Sequence, residues 1–278
     1  MKQMQDYCTL TLAAIFMAMS CTEQAVMEES DTAGMVELNL EFSQELCSCM
    51  DSWMTNGRTS DDGKCYDLRY TVEAYLDMDG ILLGNAPYKR FVFTKSDIGE
   101  LGNTLRFNME DGTYEFYVWA DFVEKGTDTD YFYNTESLRK ITLIGKHKGN
   151  NDFRDAFFGH RTVEIHHENG QENAVSCAVG MERALAKCEF STTDLKAFIR
   201  SLSGNTVSGD VNPETCKVKF FYTGRMPSVF DAIFEKPCAT RTGVEFESSI
   251  SIDDEVDTNL GFDYVFAGED ESDVAFLV

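Results

Sequence analysis

The chain has few basic residues, prolines and histidines for its length of 278 residues. Its 24 Lys and Arg stand against 48 Asp and Glu, which gives a formal net charge of −24 at pH 7. A surface of this sign repels phosphate groups, so the composition argues against binding to nucleic acid. With only 4 Pro and 12% aromatic residues, the composition is that of a folded protein rather than a disordered one. The length suffices for one large domain or two ordinary ones.

Motifs that carry catalysis or hold a metal are also missing. The sequence contains no Gly-x-Ser-x-Gly, Walker loop, Gly-x-Gly-x-x-Gly or His-Glu-x-x-His. Its 4 His have no carboxylate at ligand spacing, and its 9 Cys form no Cys-x-x-Cys pair. Cys47 and Cys49 either make a weak metal site on one side of an extended segment or are free thiols. We therefore expect no enzyme, no metal site and no cofactor.

The apolar run at the amino terminus, Leu10–Met19, is too short to span a bilayer and fits a signal peptide over residues 1–20. Small residues precede Cys21, and this stretch resembles a bacterial lipobox. The resemblance implies cleavage before Cys21 and lipidation of its thiol; the alternative is a plain secretory signal. More than one acyl chain would hold the protein at the outer membrane. The acidic residues 21–34 would form a tether, similar to the surface-export signals of Bacteroidetes lipoproteins.

Short alternating runs dominate the mature chain. In Met35–Phe42, Val36, Leu38 and Leu40 alternate with Glu37, Asn39 and Glu41, which predicts a strand with one buried face. Further strands are predicted over residues 68–76, 89–94, 141–144, 161–166, 216–222, 244–252 and 261–266, with short helical turns over 134–140 and 152–159. Many short strands with little helix predict a mainly β fold of two sandwich-like domains, 35–170 and 171–278.

The stretch Leu105–Asp121 gives the strongest local prediction. Two apolar alternations flank an acidic turn at Asp111-Gly112, and this arrangement predicts a β-hairpin. Tyr117 and Trp119 share the face of Glu115, so this second face of the strand is expected to be partly covered.

Several segments resemble the fimbrillin-like lipoproteins of Bacteroidales. They are LRYTVEAYL (68–76), YEFYVWADF (114–122), YFYNTESLRKITL (131–143), NDFRDAFFG (151–159) and, as the opening of a second domain, RALAKCEFSTTDL (183–195). The resemblance implies two tandem transthyretin-like β-sandwich domains on a lipidated stem. Because ESDVAFLV ends at Val278 in what reads as the middle of a strand, we expect the second domain to be incomplete.

For better-studied relatives, the resemblance implies pilus subunits that polymerise by strand exchange, or tip and anchor proteins of such pili. A protease specific for Arg or Lys removes the first strand, and a donor strand of the next subunit fills the groove. The matching strand here is Met35–Phe42, and Arg58 is the candidate cleavage site. The partners implied are a homo- or hetero-polymer of fimbrial subunits. The missing C-terminal strands put polymerisation of this chain with itself in question.

The alternative function is a monomeric surface binding module or adhesin for a glycan or a host protein. Tyr131 and Tyr133, together with Trp119, are the candidates for stacking on a sugar ring. Packing of the same rings inside the core is the competing interpretation. Exposure of both tyrosines on one patch would favour binding.

Overall fold

The computed structural model of the chain describes residues 34–43, 64–98, 102–166, 174–195, 197–198, 201, 215–251, 258–268 and 274–278. From Gly34 to Val278 the chain forms one compact unit. The predicted signal peptide, the lipidation site Cys21, the pair Cys47 and Cys49 and the candidate cleavage site Arg58 lie outside the described residues. They stay predictions.

Strands dominate the described residues, which confirms the predicted mainly β fold. In chain order they are β1 (Gly34–Phe42), β2 (Tyr66–Met78), β3 (Ile81–Leu82), β4 (Lys89–Thr94), β5 (Thr104–Met109), β6 (Gly112–Glu124), β7 (Tyr133–Asn134), β8 (Ile141–Leu143), β9 (Phe157–Ile165), β10 (Val175–Arg183), β11 (Leu185–Thr192), β12 (Thr215–Tyr222), β13 (Met226–Asp231), β14 (Lys236–Arg241), β15 (Glu245–Ser251), β16 (Thr258–Phe266) and β17 (Phe276–Leu277). Short helical turns occur at α1 (Lys95–Ile98) and as a 3-10 turn at Asp152–Arg154, and the described residues 195, 197–198 and 201 are also helical.

The segment 134–140, predicted as a helical turn, forms no helix. The carboxylate of Asp130 accepts the backbone N–H of Thr135 at 3.0 Å, and that of Glu73 accepts the backbone N–H of Leu138 at 3.2 Å. Because carboxylates of neighbouring segments take these donors, the backbone is fastened to the sheet instead of coiling.

The first sheet has eight strands in the order β3-β2-β6-β9-β10-β1-β5, with β4 also paired to β2. Its longest ladder joins β2 and β6, from Tyr66 opposite Glu124 to Leu76 opposite Tyr114. The sheet curls back on itself, because Phe91 of β4 and Phe107 of β5 come from its two ends and yet stack with ring centroids 4.3 Å apart. The curled sheet therefore forms a two-layered β-sandwich around an apolar core.

The hairpin predicted over 105–121 is wrong in its pairing. Its two strands exist as β5 and β6, but β5 pairs with β1, and β6 pairs with β2 and β9. The apolar side chains of both strands lie in one buried cluster: Leu105, Phe107, Met109, Tyr114, Phe116, Val118 and Ala120. The two apolar faces therefore meet across the core rather than side by side. Alternation correctly identified the buried residues, but it carries no information on which strand is the partner.

Strand β6 is buried on both faces. Its second face contributes Tyr117 and Trp119 to another cluster, in which they pack with Tyr133, Phe230 and Tyr264. The prediction that this face is covered is confirmed. The side chain of Trp119 is fully buried, so the interpretation of this residue as a core residue is also confirmed.

The remaining strands form the ladders β11-β16, β15-β12-β17 and β14-β13-β8-β7. Two of the sheets take strands from both sides of the predicted boundary at residues 170/171. In the first sheet β10 pairs with β1, and in the last one Ile141 of β8 lies opposite Phe230 of β13. The division into two tandem domains stays a prediction.

Candidate functional site

The first candidate feature is the position of β1 in the first sheet. This strand runs parallel to β10 on one side and antiparallel to β5 on the other, so Leu38 lies between Cys177 and Leu105. Asn39 links both neighbours, because its Nδ2 donates to Ser176 Oγ at 2.9 Å and its Oδ1 accepts from Thr104 Oγ1 at 2.8 Å. Strand β1 is thus an interior strand, not an edge.

The inward face of β1 is apolar and fits the first core. Val36, Leu38 and Leu40 are all buried in the cluster that β5 and β6 complete. If β1 left, the main-chain groups of β5 and β10 that now bond to it would lose their partners along a groove with an apolar floor. Such a groove accepts an extended strand of alternating pattern.

The second feature is a cavity of about 210 Å³ beside the loop that follows β8. We call it the basic cavity, because four permanent cations line it: Lys146, Lys148, Arg154 and Arg241. His147 and the apolar side chains of Tyr131, Phe132, Leu143 and Ile144 also contribute to its wall. Lys146 and Lys148 are exposed at the mouth, whereas His147 and Arg154 are buried at the floor. Its lining, drawn from described residues alone, includes no Asp or Glu.

A single carboxylate holds the floor of the cavity together. Asp263 of β16 is buried and accepts from His147 Nε2 at 2.5 Å and from Arg154 Nη1 at 3.1 Å. The hydroxyl of Tyr222 and the backbone N–H of Tyr264 also donate to this carboxylate. With four donors on two oxygens, Asp263 is fully occupied by the floor.

The hydrogen bonds of His147 define its tautomer. Since Nε2 donates to Asp263, Nδ1 carries the lone pair and accepts from Arg241 Nη2 at 3.0 Å. Burial lowers the pKa of His147 below its ordinary value, and the neighbouring Arg154 and Arg241 act in the same direction. The imidazole is therefore neutral near pH 7. The positive charge of the cavity comes from the four permanent cations alone.

Arg241 of β14 is the guanidinium of the cavity with the fewer partners. Burial and the nearby Arg154 lower its pKa, but a guanidinium keeps its proton in proteins. Its Nη2 donates to His147, while its Nε is buried and has no hydrogen-bond partner among the described residues. This guanidinium forms no ion pair with any carboxylate in the described ranges.

The two tyrosines named as candidates for stacking do not share an exposed patch. Tyr131 is half-buried and lines the basic cavity, and the ammonium of Lys64 lies 4.7 Å from the centre of its ring. Tyr133 is fully buried, with its ring centroid 5.7 Å from those of Trp119 and Phe266. Its hydroxyl donates to the carbonyl of Arg154. In this position Tyr133 has no ring face to offer a sugar.

The sequence analysis missed the basic cavity. Lys146, His147 and Lys148 stand together between two glycines in an acidic chain, and this is the signal that could have drawn attention. Arg154 and Arg241 reach the same place only through the fold. Among the described residues we find no group of three or more His, Cys, Asp or Glu side chains that could hold a metal ion. None of the helices in the described part of the chain has the length and apolar character needed to cross a membrane.

Comparisons with known proteins bear on the family and the fold. Residues 30–278 match the model of a family described as "Family of unknown function (DUF6562)". Among curated proteins we found no match.

Solved structures with a similar fold include a proposed polysaccharide-binding protein from Bacteroides thetaiotaomicron, at 8% identity and a TM-score of 0.45 over 87% of this chain and 75% of the other. The fimbrial anchor protein Mfa2 from Porphyromonas gingivalis has 13% identity and a TM-score of 0.43 over 87% and 75%. A proposed adhesin from Bacteroides ovatus has 11% identity and a TM-score of 0.41 over 88% and 72%. TM-scores of this size assign no role to this chain.

Proposed function

We propose that this chain, which belongs to the DUF6562 family of unknown function, is a lipid-anchored cell-surface protein of fimbrial type that exchanges its first strand. The observation that supports the proposal is the position of β1 between β5 and β10, where a single strand fills the space between them in the sheet. The lipobox-like leader and the resemblance of the strand segments to fimbrillin-like lipoproteins support the location and the type of protein.

The chain order allows β1 to leave without disturbing other connections. It is the first described strand, and the connection from Phe42 to Tyr66 contains Arg58. A cut after Arg58 would leave β1 attached by non-covalent contacts alone. Every strand from β2 onward would keep its chain connections.

The apolar face of β1 determines how firmly the cut strand stays. Val36, Leu38 and Leu40 each contribute roughly 1.5–3 kcal/mol by burial. The strand therefore remains in place after cleavage until another strand of similar pattern competes for the groove. Exchange between subunits, rather than spontaneous loss, is the expected event.

The test begins with mild trypsin treatment of a soluble form covering residues 22–278, followed by mass spectrometry. The variant Arg58→Ala is the matched control, and Lys64→Ala removes the next basic residue along the chain. We expect a selective cut after Arg58 in the wild type and in Lys64→Ala, and no cut there in Arg58→Ala.

The cut protein is then mixed with a fluorescent peptide of residues 34–43 and analysed by size-exclusion chromatography. We expect the peptide to replace β1 in the cut protein and to stay excluded from the uncut Arg58→Ala variant. A peptide with Leu38→Asp, which places a charge in the apolar core, should not enter. Absence of both peptide uptake and oligomer growth after complete cleavage would sink the proposal and favour a monomeric binding module.

A further inference from the structure

Four lysines in the described part of this chain stand beside a carboxylate. Lys64, Lys89, Lys187 and Lys219 each have one at 2.9 or 3.0 Å, in pairs with Glu124, Glu110, Glu189 and Glu245. Lys146 and Lys148 at the basic cavity form no ion pair with any residue that the structure describes. In a chain with twice as many acidic as basic residues, this local excess of positive charge needs an explanation.

The four cations of the cavity lining carry more positive charge than Asp263, which bonds to its floor, can balance. Asp263 already serves Arg154, His147, Tyr222 and the backbone of Tyr264. Arg241 is therefore held in position by a neutral imidazole instead of a carboxylate. Arg241 lines the cavity, is half-buried and has no carboxylate partner among the described residues, so its guanidinium can donate to an anion.

The shape and the wall of the cavity limit the anion that fits. A volume of about 210 Å³ is below the roughly 300–1,000 Å³ of sites for drug-sized ligands. The cavity therefore suits a ligand no larger than a single sugar unit. Tyr131, Phe132 and Leu143 give it an apolar side, which a bare inorganic ion would leave unused. A six-membered sugar ring with a carboxylate offers both an apolar face and a planar anion that matches a guanidinium fork.

We infer that the basic cavity binds the carboxylate of an acidic sugar, such as a uronic acid at the end of a glycan, with Arg241 as its principal anchor. Lys146 and Lys148 at the mouth attract the anion and so oppose the repulsion that the negative field of the remaining surface exerts on it. This site does not involve β1, so it is independent of strand exchange.

The test uses the uncut protein and isothermal titration calorimetry with glucuronate, galacturonate and N-acetylneuraminate at low ionic strength. Glucose serves as the neutral analogue of glucuronate, and acetate supplies a carboxylate without a ring. We expect at least one acidic sugar to bind at least about ten-fold more tightly than glucose and acetate, since hydrogen bonds to charged groups are worth that much. Binding should weaken as salt is added.

Two variants locate the site. Arg241→Gln should weaken binding at least about ten-fold, and the double variant Lys146→Gln/Lys148→Gln should weaken it and flatten its salt dependence. Both lysines are exposed, so the double variant tests the site even if Arg241→Gln lowers the melting temperature. Lys236→Gln, at an exposed lysine of the same strand as Arg241 but away from the cavity lining, should bind as the wild type does.

Any of four results would overturn the inference. Equal binding of glucose and glucuronate would show that the charge is not recognised, and equal binding of acetate would show that the ring is not. Failure of all three acidic sugars to bind at low salt, or full binding by both cavity variants, would show that the cavity is not their site.

Discussion

Arg69 and Asp121 lie directly opposite each other on β2 and β6 and form a two-pronged ion pair, with Nε–Oδ1 at 2.9 Å and Nη2–Oδ2 at 2.7 Å. Both side chains are buried. Arg69 Nη1 also donates to Asp130 at 2.7 Å, so the guanidinium connects the long ladder to the segment that precedes β7.

Replacing Asp121 with Ala should be strongly destabilising, because it leaves the buried guanidinium of Arg69 with only the half-buried Asp130 as a charged partner. Removal of one member of a buried pair costs about 3–5 kcal/mol, which is measurable as a lower urea midpoint. Glu124→Gln, at the exposed pair with Lys64 on the same strand, should leave the midpoint near that of the wild type. Equal effects of the two substitutions would contradict a structural role for the buried pair.

Trp119→Ala should also lower the free energy of unfolding, by about 3–5 kcal/mol. The indole is fully buried, and its ring centroid lies 5.7 Å from that of Tyr133 and 5.9 Å from that of Phe230. Phe234→Ala removes an aromatic side chain that is 64% exposed and is the matched control. A thermal melt that responds no more to Trp119→Ala than to this control would be evidence against the second core.

The case of Trp119 shows what a sequence of this kind can reveal. Alternation in the strand that contains it identified the buried residues of both faces, because burial follows from side-chain period alone. The alternation did not reveal which strands pair, since β5 and β6 are neighbours in the chain but lie in opposite layers. Tyr133 could be placed in either the core or a surface patch, because one aromatic residue in a short segment has no period.

The basic cavity could not be assembled from the sequence. His147 and Asp263 are 116 positions apart, and the fold alone brings them together. Arg241 stands in a strand with no unusual pattern. Only the cluster around Lys146 is visible in the sequence, and by itself a short basic stretch is compatible with an ordinary exposed loop.

Asp155 should give the stability of the protein a specific pH dependence. Its buried carboxylate accepts from Arg183 Nε and from the backbone N–H of Ala156 at 3.0 Å. Burial raises the pKa of Asp155 to about 6, although Arg183 opposes this shift. Since the unfolded value is about 3.9, the native state holds the proton more tightly. The contribution of this group is therefore complete below about pH 4 and is lost as the pH rises through about 6.

The measurement compares urea unfolding of the wild type and Asp155→Asn at pH 4.5 and pH 7. Relative to the variant, the wild type should lose about 2 kcal/mol of stability between these two pH values. Asp128→Asn, at an exposed carboxylate, controls for the general effect of removing one acidic side chain. A wild type and Asp155→Asn that change in parallel with pH would contradict the raised pKa.

Leu38 links the stability of the fold to the release of β1. Its side chain is fully buried between β5 and β10, so Leu38→Ala should cost about 2–5 kcal/mol in the uncut protein. Met35→Ala, at a residue of the same strand that is 45% exposed, should cost far less. After cleavage at Arg58, the same apolar contacts hold β1 in place together with its main-chain pairing to β5 and β10 and the hydrogen bonds of Asn39. Leu38→Ala should therefore speed uptake of the residue 34–43 peptide, while Met35→Ala leaves its rate near that of the wild type. An uptake rate that is the same in Leu38→Ala and in the wild type would mean that the peptide binds somewhere other than the groove of β1.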